Sequence, residues 1–130
     1  MTSQNAQLAL SDIGQIAINV HDLKKAIAFY RDTLGMKFLF ETGDMAFFDC
    51  GGIRLLLGLP DRPEFDHPSS IIYYRVKDIQ QSCEVLRSRG VSIEEEPAFV
   101  ARLQDHDLWL AFFRDVDQNP ICLMSEVPHN

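Results

Sequence analysis

A chain of 130 residues, 46% hydrophobic and 24% charged, is long enough to bury one core and too short for two independent domains. Its formal net charge of −7 opposes a phosphate backbone or an anionic bilayer surface, so neither nucleic acid nor membrane is an expected partner. No apolar run reaches bilayer length, Met1 to Leu10 lacks the pattern of a secretion signal, and Cys50, Cys83 and Cys122 form no C-x-x-C pair; the expected location is cytoplasmic.

Ile16, Ile18 and Val20 alternate with Gln15, Ala17 and Asn19, which predicts a strand with one buried face. Asp22 stands where a helix cap belongs, Leu23, Ala26, Ile27, Tyr30 and Leu34 share one helix face, and Gly35 is placed to stop it. Three short strands are expected at Lys37 to Glu41, Met45 to Cys50 and Ile53 to Leu57, divided by Thr42-Gly43-Asp44 and by Gly51-Gly52. Pro60, Pro63 and Pro68 mark residues 59–69 as a linker.

The pattern then restarts. Ile72, Tyr74 and Val76 alternate with Ile71, Tyr73 and Arg75, and Asp78 caps a helix presenting Ile79, Cys83 and Leu86 before Gly90. Strands are expected at Val91 to Glu95, Leu108 to Phe113 and Ile121 to Met124, with a longer approach over Glu96 to Asp107. Val76-Lys77-Asp78 repeats Val20-His21-Asp22 at an offset of 56, and Ala46-Phe47-Phe48 reappears as Ala111-Phe112-Phe113. The expected fold class is α+β: two tandem βαβββ modules, about 13–58 and about 70–126, in a single domain spanning 1–130.

The string from Ile13 through Asp22-Leu23, continued by Phe29-Tyr30 and Leu34-Gly35, resembles the opening of the glyoxalase/bleomycin-resistance/extradiol dioxygenase (vicinal oxygen chelate) superfamily. Phe113-Arg114-Asp115-Val116-Asp117-Gln118-Asn119-Pro120 resembles its F-x-D-P-D-G-N-P turn, with Val116 and Gln118 in place of Pro and Gly. The resemblance implies a curved mixed sheet around a cleft, with one metal ligand from the first and last strand of each module. Those positions fall on Gln15, Leu56, Ile71 and Cys122. Only Gln15 offers a hard cation an oxygen, and one neutral amide cannot offset the cost of dehydrating the ion. Cys122 is either a soft-metal thiolate or a small core residue.

If the sheet is built as in that family, the concave face carries Gln15, Asn19, Arg54, Tyr73 and Arg75, the expected ligand-binding residues. Guanidinium offers carboxylate or phosphate a planar fork, although either arginine can equally pair with surface acids at a strand edge. His21 is expected to face solvent. His106, flanked by Asp105 and Asp107, is the candidate general base, or else a turn residue. No H-E-x-x-H, G-x-S-x-G or phosphate-loop motif competes.

The leading reading is a small-molecule-binding member that encloses a small organic anion without a cofactor. One alternative is a glyoxalase I-like lyase or isomerase, or a dioxygenase-like enzyme, using a divalent metal at Gln15. Another is a regulatory or interaction domain with a vestigial cleft. A homodimer is expected, because the family's modules commonly pair edge to edge and Met45 to Phe48 needs cover.

Overall fold

The computed structural model describes residues 8–129; Met1 to Gln7, most of the segment read as carrying no secretion signal, and Asn130 lie outside them. The first module runs β1 (Gln15–Asn19), α1 (Leu23–Ala28), β2 (Lys37–Thr42), β3 (Met45–Cys50) and β4 (Ile53–Gly58). The second runs β5 (Ile72–Arg75), α2 (Ile79–Ser88), β6 (Ile93–Arg102), β7 (His106–Arg114) and β8 (Pro120–Pro128). Strand order is β1-β4-β3-β2 in one sheet and β5-β8-β7-β6 in the other. In each, the first and last strands are parallel and the remaining pairs antiparallel, so the two sheets repeat one topology.

The local chemistry explains the boundaries. Asp22 accepts from Lys25 N and Asp78 from Gln81 N, each at 3.1 Å, satisfying donors that a helix start leaves open. Gly35 and Gly90 sit at φ 71° and 87°, the left-handed backbone that ends a helix at little cost only in glycine.

Several elements differ from the sequence reading, among them α1 and β6, while β7 and β8 run longer than expected. α1 continues as a π-helical turn, Phe29–Thr33, with Leu34 N donating to Phe29 O and Met36 N to Tyr30 O. This turn carries Tyr30 fully into the core. The approach expected over Glu96 to Asp107 is mostly strand, because β6 runs to Arg102 despite Pro97. β6 is an edge strand and its register shifts between Glu95 and Ala98, so the missing proline N–H breaks no ladder.

Each helix covers one face of its own sheet. Ile18, Val20, Phe48, Leu55 and Leu57 pack with Ala26, Ile27 and Tyr30; Ala111, Phe113, Ile121 and Leu123 pack with Ile79, Cys83 and Leu86; all belong to one contiguous core. Polar links join the modules. Tyr30 Oη donates to Asp115 Oδ2 at 2.7 Å, and Asn119 Nδ2 donates to Asn19 O at 3.0 Å. β1 and β5 are not hydrogen-bonded to one another, so within one chain the halves stand as separate sheets, their second faces turned away from the shared core. No helix among the described residues is long and apolar enough to cross a membrane.

Candidate functional site

On the open face of the first module, the parallel register sets Arg54 directly across from Gln15, and Arg54 Nε donates to Gln15 Oε1 at 2.8 Å. The guanidinium carbon lies 5.6 Å from the Phe47 ring centroid, and Phe47 stacks on Phe40 at 4.6 Å. Phe40 is 48% exposed although it belongs to a sheet face. Asn19 takes no part in this group: its Nδ2 donates to Phe65 O and to His67 O, anchoring the linker.

The open face of the second module carries Tyr73, 48% exposed and edge-on to Phe112 at 6.4 Å, above the buried Cys122, which is paired in register with both. Arg75 Nε donates to Glu126 Oε1 at 2.6 Å. Glu126 Oε2 lies 3.2 Å from His106 Nε2, close enough for an ion pair but out of line for a hydrogen bond, which leaves that nitrogen without a hydrogen-bond partner. His106 Nδ1 is 2.7 Å from Asp105 Oδ1. Arg75, Glu126, His106 and Asp105 thus form one polar chain.

His106 opens β7 instead of lying in a turn, and it is largely enclosed. The sequence reading missed Glu126 because it ended the last strand at Met124. The alternation Cys122, Met124, Glu126, carried two residues further, would have found it.

His21 is exposed as expected, yet it is held on both ring nitrogens, by Asp66 at 2.7 Å and Asp117 at 2.9 Å. Hydrogen bonding to Asp66, then to Asp117, raises its pKa above the ordinary histidine value. The larger surprise is Asp115, 3% exposed, whose carboxylate accepts from Asp117 N, Asn119 N, Asn119 Nδ2 and Tyr30 Oη between 2.7 and 2.9 Å. Burial and the Asp115 charge hold the Tyr30 phenol far above its ordinary pKa. The turn holding these groups keeps a left-handed residue at Gln118, φ 67°, where the resembled motif has glycine.

The residues at the family's metal positions do not fit a metal ion. Gln15 gives its carbonyl oxygen to Arg54, and Ile71 lies exposed ahead of β5. Leu56 faces Ala17 across the parallel pair as Cys122 faces Tyr73, so the two occupy equivalent places. Burial pushes the Cys122 thiol up to about 11, which keeps it protonated near neutrality. Among the described residues no group of three or more His, Cys, Asp or Glu side chains is placed to hold a metal.

The hollow on the second open face, by Ile71, Phe112 and Pro120, measures only about 200 Å3. That is below the roughly 300–1,000 Å3 usual for small-molecule pockets.

The sequence matches the family described as Glyoxalase/Bleomycin resistance protein/Dioxygenase superfamily over residues 12–123. The uncharacterized protein YraH of Bacillus subtilis is 28% identical over 124 residues, covering 82% of this chain and 92% of YraH. The metallothiol transferase FosB of Lysinibacillus sphaericus is 34% identical over 67 residues, 52% of this chain and 45% of FosB. A solved structure of a superfamily member from Sphaerobacter thermophilus superimposes with a TM-score of 0.75 at 25% identity, covering 92% of this chain and all, 100%, of that one.

Proposed function

This chain belongs to the Glyoxalase/Bleomycin resistance protein/Dioxygenase superfamily, and we propose that it is a cytoplasmic protein that binds a small organic anion, without the family-type metal, in a cleft completed by a second copy of the chain. The observation that carries this reading is the pair of open faces. Each presents an exposed aromatic ring packed on a partly buried one beside an arginine, Phe40 on Phe47 with Arg54 on one, Tyr73 on Phe112 with Arg75 on the other. β1 and β5 each stand at the end of a sheet with a free edge, where a partner's module adds alongside.

Of the two guanidiniums, Arg54 is the better anion receptor. Its partner Gln15 is neutral, whereas Arg75 is already neutralised by Glu126. A carboxylate arriving at Arg54 displaces an amide; at Arg75 it competes with another carboxylate.

The test combines light scattering over a concentration series with calorimetry of aryl carboxylates and phosphate esters. A dimer is expected, with Arg54→Ala weakening aryl carboxylate binding by about 1.5–3 kcal/mol, the range for a hydrogen bond to a charged group. Arg75→Ala should cost less. A monomer whose carboxylate binding survives Arg54→Ala would refute the reading.

The partial likeness to a metallothiol transferase supports a second reading, a metal-dependent enzyme with Gln15 as ligand and His106 as base. A stoichiometric divalent metal in protein purified without chelator, lost in Gln15→Ala, would favour that reading.

A further inference from the structure

A cavity larger than the hollow on the second open face lies mainly on the other side of the sheets and touches that face only at Arg75. A crevice of about 520 Å3 runs between the modules on their helix side, walled by the loop from Thr33 to Lys37, the β3–β4 hairpin and α2. This volume falls within the range of small-molecule pockets. Met36, Val76, Val85, Leu86 and Leu123 give it an apolar wall. Tyr74 lines it too, and the Tyr74 hydroxyl is buried with no hydrogen-bond partner, a donor that a ligand oxygen at that wall would satisfy.

Among the described residues every arginine except Arg54 and Arg89 is ion-paired to a carboxylate. Arg89 lines the crevice and spends one N–H on Thr33 O, at 2.8 Å, leaving its positive charge without a counterpart. Lys37 lies on the same rim, and so does its register partner Asp49, which accepts from Gly52 N at 3.1 Å, so these two charges offset one another there. A guanidinium without a paired carboxylate beside an apolar wall, in a chain of net charge −7, forms a local receptor for an anion with an apolar body.

We propose that this crevice is a second binding site, distinct from the Arg54 face, for an amphipathic monocarboxylate whose apolar body lies along Val85, Leu86 and Leu123 and whose carboxylate meets Arg89. The guanidinium supplies the directional contact, and the apolar wall favours a body of several methylenes over acetate.

Calorimetry with decanoate, below the concentration at which it forms micelles, tests the assignment. Wild type should bind one decanoate per chain. Arg89→Gln keeps a polar, helix-compatible side chain but loses the charge, and should weaken binding tenfold or more. Decanol should bind the wild type more weakly than decanoate, and Arg89→Gln should leave its affinity unchanged. Val85→Glu, a substitution at a partly exposed position of α2 that suits a helix, should abolish decanoate binding while circular dichroism stays unchanged. Arg54→Ala separates the two sites: loss of decanoate binding in this variant would place the ligand on the open face and overturn the crevice. Absence of decanoate binding to wild type, or equal affinity in wild type, Arg89→Gln and Val85→Glu, would overturn it as well.

Discussion

Replacing Tyr30 with phenylalanine removes one oxygen from the centre of the molecule and almost nothing else. The ring stays packed between Phe29 and Phe48, with centroids at 5.7 and 6.1 Å, so no sizeable cavity forms. What disappears is the 2.7 Å hydrogen bond to Asp115 Oδ2, a buried bond to a carboxylate joining the first module to the second. Hydrogen bonds to charged groups contribute about 1.5–3 kcal/mol, and Asp115 keeps three other donors, so the loss should fall near 2 kcal/mol. Asp115→Ala should cost more, because it strands the Tyr30 hydroxyl and the Asn119 backbone N–H together. Urea unfolding at fixed protein concentration, followed by circular dichroism and fluorescence, measures both. Tyr30→Phe should lower the midpoint with the slope unchanged. A change under about 0.5 kcal/mol, set against that range, would show that the bond does not hold the modules together.

Gln118 occupies left-handed backbone at φ 67° and uses only main-chain atoms in its turn, so Gln118→Gly should raise stability by roughly 0.5–1 kcal/mol, the left-handed strain less glycine's added chain entropy. Gln118→Val should lower it; both are read by urea midpoint. His21 has its pKa raised by Asp66 and Asp117, so its stabilisation is complete below the unfolded value near 6.5 and fades as pH rises through the higher folded value. The melting temperature of wild type should therefore exceed that of His21→Gln most at about pH 6, the gap narrowing toward about pH 9; a gap that widens with pH would reverse the assignment. Burial raises the pKa of all three thiols, and Cys50 is the least enclosed. A disulfide reagent near pH 8 should modify Cys50 first and reach Cys83 and Cys122 only on unfolding; rapid native labelling of Cys122 would refute its burial.

The repeat was readable because its signals are local. Asp22 and Asp78 reach donors three residues ahead, and Gly35 and Gly90 act through their own dihedrals, so a sequence window contains both cause and effect. The candidate site was less legible because its partners are far apart. Nothing near Arg75 announces Glu126, 51 residues on, nor does the neighbourhood of His21 announce Asp117, 96 residues on. Arg54 met Gln15 as the strand register required, but which arginine remained without a carboxylate depended on tertiary placement. Asp115 to Asn119 was recognised as a turn by its resemblance, while its role as the seat of Tyr30 rests on a contact across 85 residues.

The separation between contacts within a module and contacts across modules also sets an order of events during folding. The parallel pair in the first module closes over 39 residues between Gln15 and Arg54, whereas docking bonds such as Asn119 to Asn19 close over 100. Shorter closures form faster, so each half should assemble before the two meet. The linker over residues 59–69 then decides which halves meet, since a half that finds its counterpart on another chain makes the same bonds. Deleting four residues from this linker should shift refolded protein toward exchanged, interlocked dimers, seen as a slower-dissociating species in size-exclusion chromatography; unchanged dissociation would show that docking within a chain does not depend on the linker's length.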